Sequence, residues 1–229
     1  DWAQQQPSAK QPQTWDTKAP LVIAHRGASG YAPEHTLAAY ELAAAQGADV
    51  IEPDLVSTKD GVLVVRHENL IDGTTDVAQR PEFADRKTTK VVDGVALTGW
   101  FTEDFTLAEL KTLRATERIP DIRPGNTRYD GQFEVATFDE VIALRERLSA
   151  ETGREIGIIP EIKHPTYFDS IGLSMEERVV ELLDEHGLNK RNAPATVQSF
   201  ELANLRDLNE NLGIKAETVF LSSVNGAPY

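Results

Sequence analysis

The feature that most restricts the fold of this chain is an alternation of short apolar runs with helix-patterned segments. Residues 21–24 form a β-type run that ends at His25, and a turn containing Gly and Pro (27–33) follows. Thr36 is placed to cap an Ala-rich helix running through Gln46, with Gly47 as its stop. A second run covers 50–56. A third covers 62–65, after the turn signal Lys59-Asp60-Gly61. Parallel strands need a crossover, so strand, helix, strand in this order predicts a βαβ unit.

The alternation lapses between residues 69 and 133, a stretch rich in charge, Gly and Pro with one helix-like piece at 107–113. A region of that length inside a compact domain reads as an inserted subdomain or a long active-site loop. Its aromatics (Trp100, Phe101, Phe105, Tyr129, Phe133) are expected to form a small core of their own. Helices are then predicted at 138–150, 175–186 and 201–211, and strands at 156–162, 195–198 and 217–221. This is the α/β pattern of a TIM-type (β/α) barrel with about six strands. A complete barrel has eight and runs to ~250 residues. The expectation is therefore a barrel domain of residues 21–229 carrying the inserted subdomain 69–133, with the C-terminal strands missing from this chain.

Composition excludes several partners. The 229 residues carry a formal net charge of −14, whereas nucleic-acid binding exchanges basic side chains for condensed counterions. With no cysteine, disulfides, thiolate metal sites and cysteine nucleophiles are ruled out. No apolar run approaches the ~18 residues that span a bilayer, so stable membrane insertion is not expected. Residues 1–20 are polar, rich in Gln and Pro, and lack the apolar stretch of a signal peptide. They read as a flexible segment left after a signal was removed, or as an uncleaved linker; the first reading is favoured and predicts a periplasmic or extracellular location.

Chemistry concentrates at the predicted strand ends, where barrels place their active sites. Glu52 and Asp54 lie two apart, so in extended chain both face one side. Two inward carboxylates repel unless a cation neutralises them. With Glu161 from a later strand they form a set of hard oxygen donors suited to calcium or magnesium; the alternative is a pair of surface, salt-bridging acids. His25 and His67 end neighbouring strands beside these acids, and histidines titrate near neutrality, so one can accept a proton while the other donates. Gln198 ends another strand and serves either substrate or structure. Glu34 and His35 read as turn and capping residues, His164 and His186 as solvated or helix-end residues.

The stretch HRGASGYAPEHTLAAYELAAAQGADVIEPDLVSTKDGVLVVRHE resembles the signature of the glycerophosphodiester phosphodiesterase family, in its periplasmic or secreted branch. His-Arg-Gly, Pro-Glu-His-Thr, Glu-x-Asp, Lys-Asp-Gly and the second histidine stand in the family's order, and Glu161-Ile162-Lys163 matches a later Glu-x-Lys. The resemblance implies a TIM barrel and one divalent ion, calcium in the exported branch with magnesium second, held by Glu52, Asp54 and Glu161. It also implies acid–base work by His25 and His67, with Arg26 and Lys163 on the phosphate of a small glycerophosphodiester. Two rival classes remain: a sphingomyelinase D-like phospholipase, whose site disulfide a cysteine-free chain cannot form, and a non-enzymatic binding module of the same fold.

Overall fold

The computed structural model describes residues 20–223, so the expected flexible segment 1–20 lies, Pro20 apart, outside the described residues. β1 (Ile23–His25), α1 (Leu37–Ala45), β2 (Val50–Glu52), β3 (Asp54–Ser57) and β4 (Leu63–Val65) come first. β5 (Thr88–Val92), β6 (Val95–Gly99) and the short α2 (Leu107–Leu110) occupy the middle. There follow α3 (Phe138–Thr152), β7 (Gly157–Ile158), β8 (Glu161–Ile162), α4 (Pro165–Ser170), α5 (Glu176–Glu185), β9 (Thr196–Ser199), α6 (Leu202–Glu210) and β10 (Glu217–Phe220).

β1 pairs with β2, β2 with β7, β3 with β8, β8 with β9 and β9 with β10, all in parallel. The expected strands 50–56 and 156–162 are each divided in two, at Pro53 and Pro160, because proline has no N–H for the ladder. Their carbonyls still pair: Glu161 N–H donates to Pro53 O and Gln198 N–H to Pro160 O, both at 2.9 Å. Counting each divided strand once, the described residues give five parallel strand positions, one fewer than expected. The difference is β4, which folds back antiparallel on β3 through the Lys59-Asp60-Gly61 turn and is not a barrel strand.

Local sequence sets the helix ends. The Thr36 hydroxyl accepts from Ala39 N–H at the start of α1. Thr106 and Glu109 on α2, and Thr137 and Glu140 on α3, form reciprocal capping boxes that satisfy otherwise orphaned N–H groups. Gly153, at φ 64°, closes α3 in the left-handed conformation glycine favours. Two elements escaped the sequence reading. The β5–β6 hairpin turns on Asp93-Gly94 with both φ positive, and α4 starts at Pro165.

The insertion shares the barrel's core. Trp100, Phe105, Leu110 and Leu113 belong to one contiguous buried cluster with Ile51, Leu55, Val64 and Phe138, so the expected separate aromatic core is not formed. Burial of each such side chain contributes roughly 1.5–3 kcal/mol.

The loop after β1 lies flat on α1. Gly27 has φ +83°, and a Cβ there would sit 2.8 Å from both the carbonyl carbon and the Cβ of Ala39. Gly27→Ala is expected to lower stability by about 2–4 kcal/mol through left-handed strain and overpacking; the shift in urea midpoint measures it.

Candidate active site

Strand register assembles the site before any side chain is considered. His25 lies opposite Glu52, Asp54 opposite Glu161, and Glu161 opposite Gln198. Residues two apart share a face, so Glu52 with Asp54, and Glu161 with Lys163, enter one space. Glu52, Asp54 and Glu161 are all buried and offer carboxylate oxygens within 4.8 Å of one another. Two ionised carboxylates at that separation repel by roughly 3–4 kcal/mol at an effective dielectric of about 20.

The surroundings hold each acid differently. Gln198 Nε2 donates to Glu52 Oε1 and Arg26 N–H to Glu52 Oε2, both at 3.0 Å. Lys163 Nζ donates to Glu161 Oε1 at 2.8 Å. His35 Nε2 lies 2.8 Å from Asp54 Oδ2, while Asp54 Oδ1 is buried with no hydrogen-bond partner. Burial, then the neighbouring Asp54 charge, pushes the Glu52 carboxyl up to about 9. Burial pushes Glu161 up to about 7 against the pull of Lys163. Burial works the same way on Asp54, but the His35 hydrogen bond and the charges of His35 and Lys163 outweigh it and lower its pKa. Asp54 is thus the ionised acid of the cluster, and Glu52 carries a proton at neutral pH.

His35 lies in the turn the sequence suggested, and it is also a structural keystone. Its ring is completely buried, and burial lowers its pKa. Nε2 lies 2.8 Å from Asp54 Oδ2 and Nδ1 lies 2.7 Å from the Tyr40 hydroxyl, which itself donates to the Glu52 carbonyl at 3.1 Å. Its backbone has φ 58°, and its carbonyl accepts from Nη2 of the fully buried Arg66. Glu34 also exceeds its expected role. It takes Arg26 Nη1 at 3.2 Å on one oxygen and Arg118 Nε at 2.9 Å on the other. Arg26 Nε is 3.9 Å from Asp54 Oδ2.

The two histidines differ. His67 is fixed: Nδ1 is 2.8 Å from Glu68 Oε1, and Nε2 is 3.3 Å from Lys163 Nζ. His25 is exposed at the end of β1. Burial of part of its ring, then the Arg26 charge, lowers its pKa. His164 stands at a helix end, as the N-cap residue of α4, and its two nitrogens contact Glu68 and Asp93. His186 matches its expected helix-end place after α5, where it bridges Asp139 and Glu146.

Sequence reasoning missed Arg66, Arg118, Glu68 and His164. Arg118 stands 84 residues from Glu34, and no local pattern reports such a contact. Glu68 stands 96 residues from His164, and the left-handed backbone of His164 at φ 50° has no local marker in the sequence.

With this geometry in view, comparison with known proteins is decisive. The profile of the glycerophosphoryl diester phosphodiesterase family matches residues 25–228. The chain belongs to this family. It is 42% identical to glycerophosphodiester phosphodiesterase GDPD6 of Arabidopsis thaliana and 35% identical to a glycerophosphodiester phosphodiesterase of Haemophilus influenzae. These alignments cover 82% and 84% of this chain but 52% of each relative, so the chain spans about half the length of the curated relatives it matches. A phosphodiesterase of Oleispira antarctica, solved with its product sn-glycerol-3-phosphate, superposes with a TM-score of 0.63 at 25% identity, covering 90% of this chain and 67% of that one. A glycerophosphodiester phosphodiesterase of Agrobacterium tumefaciens gives 0.57 at 26% identity, over 83% and 62%. The parallel strands are accordingly those of a TIM-type barrel.

A consequence for stability follows from Glu52. Its folded pKa of about 9 exceeds the ordinary 4.5, so the folded state binds more protons between these values. Stability contributed by this group is then present at low pH and lost as pH rises through that window. Without divalent ions, Glu52→Gln is expected to melt several degrees above the parent at pH 8, the gap narrowing toward pH 5; thermal scans across pH check this.

Proposed function

We propose that this chain hydrolyses glycerophosphodiesters to glycerol 3-phosphate and an alcohol, using one divalent ion held by Glu52, Asp54 and Glu161. The observation that carries the reading is the meeting of three buried carboxylates with His67 and Lys163 at one end of a parallel sheet. Family membership and the product bound by the Oleispira antarctica neighbour support it.

The residues fit a hard cation. All three donors are carboxylates, none of the chain's residues is a thiol, and Asp54 Oδ1 is a buried acceptor without a partner. This donor set suits calcium first and magnesium second. When bound, such an ion would neutralise the acids and polarise the phosphoryl group. Lys163 and Arg26 supply cationic donors for phosphate oxygens, and Gln198 reaches the substrate from beside Glu52. Of His25 and His67, one takes the proton of the attacking glycerol hydroxyl and the other protonates the departing alcohol. The resulting cyclic phosphate is opened by water with the two roles exchanged. A cavity of about 510 Å³ beside His67 and Lys163, walled by Leu70, Val95 and Phe200, offers room for the alcohol. No helix among the described residues is long and apolar enough to cross a membrane.

His25→Ala and His67→Ala are each expected to lower kcat on glycerophosphocholine by about 10²–10⁴-fold with unchanged circular dichroism; near-parental turnover in either refutes the scheme. Chelator is expected to abolish activity and calcium to restore it. Because Glu52 and Glu161 hold protons up to about 9 and about 7, cation affinity should rise with pH, with protons released on binding. Calorimetry in buffers of different ionisation enthalpy reads that release, and turnover in excess chelator would contradict the metal assignment.

A further inference from the structure

We infer that His164 is a positioning residue for His67, acting through Glu68 and anchored by Asp93. Glu68 is a two-sided bridge: Oε1 is 2.8 Å from His67 Nδ1 and Oε2 is 2.8 Å from His164 Nε2. The second nitrogen of His164, Nδ1, is 2.5 Å from Asp93 Oδ2 in the β5–β6 turn. Carboxylates accept and do not donate, so His164 donates from both nitrogens and is held as an imidazolium. Burial pulls its pKa down, yet the two carboxylates more than offset this and leave it above the ordinary value.

The bridge dictates the tautomer of His67. With Nδ1–H committed to Glu68, the Nε2 lone pair faces the Lys163 ammonium at 3.3 Å, and a lysine can only donate. The ring therefore presents a proton acceptor to the reaction space. A singly held Glu68 would be free to swing, because its side chain is partly exposed. His164 removes that freedom at the cost of a left-handed backbone, φ 50° and ψ 43°, a strain sustained only where surroundings impose it. The arrangement parallels the carboxylate that orients a ligating or catalytic imidazole elsewhere, with a second imidazole holding the carboxylate.

This inference rests on the acid–base role of His67 proposed above. The test uses the full chain with calcium: His164→Asn, chosen because asparagine tolerates left-handed backbone, Glu68→Gln, and Asp93→Asn as a second route to the same loss. His186→Ala, which removes the other doubly bridged histidine, is the control. The expected result is a fall in kcat on glycerophosphocholine of about 10–100-fold for His164→Asn and Glu68→Gln, with KM within about twofold. ¹⁵N spectra of histidine-labelled protein should show His67 leaving the Nδ1–H tautomer in both, while His186→Ala changes neither readout. Unchanged kcat or an unchanged His67 tautomer in His164→Asn overturns the inference while leaving the proposed function intact if His67→Ala is inactive. An active His67→Ala overturns both.

Discussion

Three carboxylates buried within 4.8 Å of one another are the constraint around which this fold is organised. Desolvation opposes ionising any of them, and a neighbouring charge opposes ionising a second. The polypeptide meets this by unequal support. Asp54 receives the buried imidazole of His35, Glu161 receives an ammonium, and Glu52 receives only neutral donors from Gln198 and the Arg26 backbone. Asp54 thus keeps its charge most readily, and Glu52 and Glu161 hold protons to higher pH.

The support for Asp54 extends outward in shells. His35 is aligned by Tyr40 and by the buried guanidinium of Arg66, which also donates to the carbonyls of Val65 and Thr74. Glu34 ties Arg26 to Arg118, and Asn126 joins Ser29 O to Glu117. The segment 69–133 therefore clamps the loop after β1 from above. Two of the non-glycine residues with positive φ, Arg26 and His35, lie in this network, where strained backbone is sustained by dense contacts.

The acidic cluster was legible because it is written in short-range pattern. Glu52 and Asp54 share a face by strand periodicity, and His25 and Glu161 sit where register places them opposite their partners. Thr36, Thr137 and Gly153 mark helix ends by chemistry that needs no tertiary context. What could not be read lies in long-range contact or broken rules. The antiparallel return of β4 follows a turn whose signal was noticed but not its direction. The Asp93-Gly94 hairpin carried a recognisable dipeptide, hidden among charges. His35 looked like a cap because it adjoins Thr36, and only the fold reveals that it faces Asp54. His164 sits at the helix end its sequence suggested, but its tie to Glu68 spans 96 residues and no local pattern reports it.

The β5–β6 hairpin, finally, is fastened differently from the rest of the molecule. Of its strand residues only Val92 and Gly99 are buried. Its ties are charged: Lys90 to Glu103 and Asp104, and Asp93 to His164. Such ties weaken as dissolved ions screen them, while the apolar packing under β2 and β9 does not. The hairpin is accordingly the element whose local opening answers to ionic strength, so amide hydrogens of Thr88–Val92 should exchange faster in brine while those of the parallel strands stay protected.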